Sequence, residues 1–147
     1  MKTRRFLIIG DPVKHSLSPA MQNAAFRVKK IPASYSKLRL TKGQLPGFFQ
    51  KLRKGAYGGI NVTVPHKEAV LPYLDELSEE ARLIGAVNTV LVENGKLKGH
   101  NTDGAGYLES LRKEAKFNRA AKKDPALEAP PAASWRSFAE TASEKSS

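Results

Sequence analysis

The alternation of hydrophobic and polar positions over the first part of the chain predicts three β-strands. Residues 5–9 form a short apolar run that ends at Gly-Asp-Pro, and residues 33–40 form a second β-rich stretch. Further on, Ile60, Val62 and Val64 alternate with polar residues, the period of two that marks a strand with one apolar face. The proline after Val64 cannot donate to a sheet, so we expect the third strand to end there.

Apolar residues spaced by three and four positions between these strands predict two connecting helices. Ser18 fits the N-cap of the first helix and Pro19 its first helical position. The order strand, helix, strand, helix, strand predicts right-handed crossovers and a parallel sheet. The apolar stripes expected to face the sheet consist of Met21, Ala24, Ala25 and Val28 in the first helix and Leu45, Phe48, Phe49 and Leu52 in the second.

The pattern changes after the third strand. Residues 67–74 are expected to form a short helix, and Ser78 to cap another helix whose first turn holds two glutamates. Residues 87–93 and 96–100 flank Asn94-Gly95, the strongest short-range signal for a β-hairpin. The predicted fold class is therefore α/β: a three-layer, open and mainly parallel sheet with an antiparallel hairpin appended and helices on both faces.

Polar side chains gather where the predicted strands end, which is where ligands bind in open α/β sheets. Asn61 offers donors and an acceptor, Thr63 a hydroxyl and Lys67 a flexible ammonium, a set suited to a small, polyhydroxylated anion. Asn88 and Asp103 should meet at the open end of the hairpin, because its two arms are antiparallel. Taken singly, these are also ordinary surface residues, and Asp103 is equally well explained as a helix cap.

Two serines stand at the start of the first predicted helix. Ser16 and Ser18 could hold a carboxylate there, because hydroxyls and unsatisfied backbone donors at a helix N-terminus favour anions. The alternative is that Ser18 only caps its helix. His15 is expected to belong to the loop structure, and His66 receives no role.

Composition and charge restrict the class of protein. The 147 residues are 40% hydrophobic, which suits one folded domain, and they include no cysteine for a disulfide or thiolate metal site. No apolar run approaches a membrane span, so we expect no membrane association and a cytoplasmic location. The net charge is +11, and residues 1–115 hold 19 basic and 10 acidic side chains. A basic nucleic-acid-binding protein is thus an alternative, although no recognition-module signature accompanies the charge.

Four motifs follow one another along the chain. Residues 10–19 read G-D-P-V-K-H-S-L-S-P, residues 58–67 read G-G-I-N-V-T-V-P-H-K, residues 85–89 read G-A-V-N-T and residues 101–104 read N-T-D-G. In this order they resemble the shikimate dehydrogenase family, over roughly residues 6–114. The resemblance implies NADP-dependent reduction of 3-dehydroshikimate to shikimate, a small-molecule substrate, in the chorismate pathway of aromatic amino-acid biosynthesis.

The resemblance also implies a role for each matching polar residue. Reduction of a ketone adds a proton to its oxygen, so a proton donor must lie within hydrogen-bond reach of the substrate. The family pattern assigns the substrate carboxylate to Ser16 and Ser18, the substrate hydroxyls to Asn61, Thr63, Asn88 and Asp103, and the catalytic pair, which also contacts substrate, to Lys67 and Asp103.

The resemblance ends near residue 114. In the family a Rossmann domain with a Gly-rich loop begins there, whereas residues 116–147 show neither such a loop nor a useful periodicity. We therefore expect residues 1–115 to be the substrate-binding catalytic domain. Residues 116–147 are interpreted as a non-native-looking or disordered tail that replaces the start of the NADP-binding domain, from a frameshifted or artificially ended coding sequence. For such a truncated chain, a non-catalytic module that binds shikimate or quinate is the alternative.

Overall fold

The computed structural model describes residues 3–114. The chain divides into two units, Met1–Gly104 and Ala105–Ser147, and the predicted tail, residues 116–147, lies outside the described residues. No helix among the described residues is long and apolar enough to cross a membrane. The strands are β1 (Arg4–Gly10), β2 (Ala33–Arg39), β3 (Gly59–Val62), β4 (Glu76–Leu77), β5 (Thr89–Glu93) and β6 (Lys96–His100), and the helices are α1 (Ser18–Val28), α2 (Leu45–Arg53), α3 (Glu79–Ile84) and α4 (Asp103–Glu114).

The described strands form one mixed sheet in the order β2-β1-β3-β5-β6-β4. Strands β2, β1 and β3 are parallel, as the alternation of strands and helices predicted. The hairpin β5–β6 is joined to these parallel strands by β5. Strand β5 runs antiparallel to β3, and Thr89 pairs with Asn61. The predicted fold class is confirmed, and the short strand β4, parallel to β6, is an addition that the sequence pattern did not indicate.

Hydrophobic side chains pack on both faces of the sheet. On one face, Leu7 and Ile9 of β1 and Ile60 of β3 pack with α2, whose predicted apolar residues are all buried. On the opposite face, Ile8 and Tyr35 form a smaller cluster against which the aromatic ring of α1 packs. Because neighbouring residues of a strand point to opposite faces, β1 serves both cores at once.

The predicted apolar stripe of α1 is wrong. Met21 and Val28 are 62% and 79% exposed. The helix instead contacts the sheet through Asn23 and Phe26. The side-chain amide of Asn23 pairs with the backbone of Tyr35, donating to its carbonyl oxygen at 2.8 Å and accepting from its N–H at 2.9 Å. Asn23 thus lies on the face of α1 that packs against the sheet and satisfies backbone groups of the edge strand β2. Met21 and Val28 lie away from that face and are exposed.

Three local predictions are wrong in detail. The N-cap of α1 is Leu17, and Ser18 is the first helical residue. Strand β3 ends at Val62, so that Val64 is 62% exposed instead of buried. Residues 67–74 form turns and a 3-10 segment instead of a helix, because Pro72 has no N–H to donate in an α-helical pattern. The capping of α3 by Ser78 is confirmed, since its side chain accepts from the backbone N–H of Ala81.

Gly99 lies at a tightly packed point of β6. A Cβ atom added there would lie 2.6 Å from Leu74, 2.8 Å from Val87 and 2.9 Å from Leu77, all side-chain atoms. We therefore expect Gly99→Ala to lower the free energy of unfolding by about 1–3 kcal/mol in urea denaturation. Gly47→Ala in α2 is the matched control: its Cβ would meet nothing within 4 Å, and stability should hold or rise. Equal stability of the two variants would contradict this account.

Candidate active site

Lys67 lies in the turn that follows β3, and its backbone is held from two sides. His66, the preceding residue, is buried, and its Nε2–H donates to the carbonyl oxygen of Leu40 at 2.6 Å. The backbone N–H of Val87 donates to the carbonyl oxygen of Lys67 at 2.8 Å. His66, which received no role from the sequence, thus anchors the turn, while the lysine side chain stays 33% exposed.

Lys67 and Asn88 both bind the carboxylate of Asp103. The lysine Nζ donates to Oδ2 at 2.6 Å, and the Asn88 amide Nδ2 donates to Oδ1 at 2.7 Å. Each carboxylate oxygen therefore has its own donor. The predicted meeting of Asn88 and Asp103 at the open end of the hairpin is confirmed, and the Asp103 side chain remains 51% exposed, open to a ligand.

The surroundings of Asp103 favour its ionised form. Partial burial opposes ionisation, but the hydrogen bonds from Lys67 and Asn88 and the positive charge of Lys67 together outweigh it. The pKa of the Asp103 carboxyl is therefore held below its usual range. The ionised carboxylate orients the Lys67 side chain through the 2.6 Å hydrogen bond from Nζ.

Asn101 and Thr102, the two residues before Asp103, fix the position of the chain at Asp103, although the sequence analysis gave them no separate role. The side chain of Asn101 is buried, donates to the carbonyl oxygen of Ala86 at 3.0 Å and accepts from the backbone N–H of Asp103 at 3.0 Å. The backbone N–H of Thr102 donates to Oδ1 of Asn88, also at 3.0 Å. The N-T-D-G motif was the available signal, because its first two residues connect the start of α4 to the hairpin.

Asn61 on β3 is hydrogen bonded on both sides of its amide. Its Oδ1 accepts from the hydroxyl of Tyr35 at 2.6 Å, and its Nδ2 donates to Oγ1 of Thr89 at 3.0 Å and to the carbonyl oxygen of Asn88 at 3.3 Å. Tyr35 and Thr89 were absent from the predicted set. Thr89 belongs to the G-A-V-N-T motif, whereas nothing in the sequence of β2 singled out Tyr35.

The remaining predicted residues lie at the start of α1 and directly after β3. Ser16 and Ser18 are in contact, since the backbone N–H of Ser18 donates to Oγ of Ser16 at 3.3 Å. The backbone of Thr63 continues the sheet by donating to the carbonyl oxygen of Ile9 at 2.9 Å. Within residues 3–114, no side-chain hydrogen bond joins Ser16, Ser18 or Thr63 to the group formed by Asn61, Lys67, Asn88 and Asp103.

In open α/β sheets ligands bind outside the carboxyl ends of the strands, and the lysine–aspartate pair lies in that region. A family model described as the shikimate dehydrogenase substrate binding domain matches residues 8–90. The chain belongs to the shikimate dehydrogenase family, as its motifs predicted.

Curated relatives are similar over most of the chain. The NADP(+) shikimate dehydrogenase of Desulfitobacterium hafniense is 47% identical over 115 residues, which are 78% of this chain and 42% of the relative. That of Geobacillus kaustophilus is 50% identical over 107 residues, which are 73% of this chain and 39% of the relative. The chain thus spans about two fifths of the length of these curated relatives.

Solved structures agree with this fold. The shikimate 5-dehydrogenase of Thermus thermophilus in complex with NADP(H) and shikimate has a TM-score of 0.72 and 46% identity, covering 75% of this chain and 42% of that one. The Listeria monocytogenes enzyme in complex with shikimate and NAD has a TM-score of 0.75 and 40% identity, covering 79% of this chain and 40% of that one.

Proposed function

We propose that this chain is the substrate-binding, catalytic part of an NADP-dependent shikimate dehydrogenase, which reduces 3-dehydroshikimate to shikimate. The observation that supports this most is the Lys67–Asp103 ion pair, whose carboxylate also accepts from Asn88 beyond the end of β3. A solved relative is in complex with both NADP(H) and shikimate. We further propose residues 1–115 as the domain that performs this binding.

Lys67 is the proposed proton donor. Reduction of the ketone adds a hydride to carbon and a proton to oxygen, and an ammonium within hydrogen-bond reach can deliver that proton and recover it from solvent. Asp103 holds the ammonium in place and, with Thr63 and Asn88, binds substrate hydroxyls. Ser16 and Ser18 bind the carboxylate with help from the N-terminus of α1.

NADP is the proposed cofactor and the hydride donor, but the described residues do not fit it. Within residues 3–114, no strand runs through a Gly-rich turn into a helix N-terminus, the arrangement that binds a pyrophosphate. The turn from β1 towards α1 contains Asp11 and Pro12, which offer a negative charge and a missing N–H where a phosphate needs donors. Only substrate binding and proton delivery are therefore assigned to this part of the chain.

Binding of shikimate to the purified chain tests the proposal. Titration followed by NMR should give saturable shifts of the resonances of residues around Lys67, Asn88 and Ser16. Absence of saturable binding would refute the proposed substrate. A non-catalytic shikimate- or quinate-binding module is the second candidate, because the same hydroxyl, amide and ammonium groups can bind a polyhydroxylated anion without reducing it. Turnover in a chimera, in which residues 1–114 replace the matching part of a catalytically complete relative, separates the two.

Replacement of both Ser16 and Ser18 by alanine should weaken binding of shikimate and leave binding of an analogue without the carboxylate nearly unchanged. A hydrogen bond to a charged group contributes roughly 1.5–3 kcal/mol, which isothermal titration detects easily. Ser34→Ala with Ser36→Ala is the matched control, because these two serines have the same spacing and are exposed on β2. Equal weakening for both ligands would show that the serines only support the start of α1.

A further inference from the structure

A series of side-chain hydrogen bonds crosses the sheet from Tyr35 on β2 to Asp103 at the start of α4. The Tyr35 hydroxyl donates to Asn61 at 2.6 Å, Asn61 donates to the Thr89 hydroxyl at 3.0 Å, and that hydroxyl donates to Asn88 at 3.0 Å. Asn88 then donates to the carboxylate of Asp103 at 2.7 Å. Asn61 and Asn88 each accept through the amide oxygen and donate through the amide nitrogen, and the Thr89 hydroxyl does both, so the series has a single direction.

We propose that Tyr35, Asn61 and Thr89 are positioning residues that fix the side-chain amide of Asn88. The inference rests on the proposed function, because Asn88 and Asp103 are the groups that would contact shikimate.

The direction of the series follows from the chemistry of its ends. A carboxylate only accepts, so Asn88 must present its NH2 group to Asp103 and its carbonyl oxygen to the hydroxyl of Thr89. That hydroxyl must then donate its hydrogen to Asn88 and accept from Asn61. Flipping the Asn61 amide would place its Oδ1 against the backbone carbonyl oxygen of Asn88, two acceptors in contact.

Tyr35 is suited to the role of donor at the start of the series. Its side chain is buried, and burial raises the pKa of its hydroxyl to about 12, so the hydrogen is retained at neutral pH. With Tyr35 donating to Oδ1, the Asn61 amide has one favourable orientation. A phenylalanine at this position would keep the ring and remove only the donor.

Asn61 and Asn88 differ in what their amides are free to do. Both amide hydrogens of Asn61 go to half-buried partners, Thr89 and the backbone of Asn88. Asn88 accepts from the half-buried Thr89 hydroxyl, but its Nδ2 donates to the exposed side chains of Thr102 and Asp103, where a ligand can replace them. The Asn88 backbone itself is fixed, because its carbonyl oxygen accepts from Val62 at 2.8 Å. The side chain of Asn61 can therefore hold Asn88 in position, and the side chain of Asn88 can contact the substrate.

The side-chain amide resonances of Asn88 in the ligand-free chain test the proposal directly. Tyr35→Phe and Thr89→Val should each shift these resonances, with the fold retained by circular dichroism. Tyr57→Phe is the matched control, because it removes a hydroxyl that accepts from Arg5 on the exposed surface. Unchanged Asn88 resonances in both test variants would overturn the proposal.

A double-mutant cycle on shikimate affinity separates positioning from direct contact. Tyr35→Phe should weaken binding about two- to tenfold, the range for one hydrogen bond, and this loss should disappear in an Asn88→Ala background. An equal loss in both backgrounds would mean that Tyr35 and Asn61 act independently of Asn88, and would overturn the proposal. If the unmodified chain does not bind shikimate, the proposed function fails, and the Asn88 resonances alone decide whether the positioning series exists.

Discussion

Replacing Lys67 by alanine in a catalytically complete enzyme should lower kcat by about two to four orders of magnitude while changing KM little. The ammonium is the only cation that the structure places on the carboxylate of Asp103 within residues 3–114. Its loss removes the proposed proton donor but leaves the serines and amides that bind substrate. A group that acts mainly on the developing alkoxide affects kcat far more than ground-state binding.

The measurement uses a chimera in which residues 1–114 replace the matching part of the Desulfitobacterium hafniense relative. Steady-state reduction of 3-dehydroshikimate with NADPH gives kcat and KM for each variant. Lys96→Ala is the matched control. Lys96 lies on the hairpin, and its Nζ also approaches a carboxylate, with 3.9 Å to Oε1 of Glu76. A near-normal kcat for Lys67→Ala would remove Lys67 from the proton-transfer step.

Partial recovery of kcat by added small amines would strengthen the assignment. An amine that fits the space of the missing side chain can donate a proton, whereas it cannot repair a misfolded domain. No recovery, combined with a raised KM, would instead make Lys67 a binding residue.

The sheet was largely predictable because its strands and helices follow local patterns. An apolar run marked β1, a β-rich stretch marked β2, and Asn94-Gly95 marked the hairpin, whose two arms the structure confirms. The side of α1 that packs was not predictable, because Asn23 meets the backbone of an edge strand that no local pattern of α1 reveals. Tertiary hydrogen bonds thus overrode the apolar periodicity.

The same distinction separates the predicted and the missed parts of the site. Asn88 and Asp103 were placed together by hairpin geometry, which requires only that two arms be antiparallel. Tyr35 lies in the middle of β2, and its partner Asn61 lies on a strand two positions away in the sheet. Such a contact depends on strand order and register, which the sequence of β2 does not encode locally.

Asp103→Asn should lower kcat and raise KM together in the same chimera, reducing kcat/KM by about one to three orders of magnitude. The carboxylate accepts from Lys67 and Asn88 at once, and each hydrogen bond to a charged group contributes roughly 1.5–3 kcal/mol. An asparagine keeps the shape but turns one acceptor into a donor facing either the ammonium or the amide. Glu93→Gln, which removes a charge from the exposed end of the same hairpin, is the control. A change in KM alone would leave Asp103 as a ligand without a role in orienting Lys67.

The pH dependence of stability gives an independent measure of the same pair. The pKa of Asp103 is lowered in the folded chain, so its ionised form stabilises the fold above the pKa of the unfolded chain. That contribution should be lost as the pH falls from the unfolded-state value through the lower folded-state pKa. The difference in free energy of unfolding between the unmodified chain and Asp103→Asn should therefore shrink as the pH is lowered from neutral into this acidic range. Urea denaturation at several pH values across that range measures this difference. A difference that stays constant would mean that the charge of Asp103 does not stabilise the fold through Lys67.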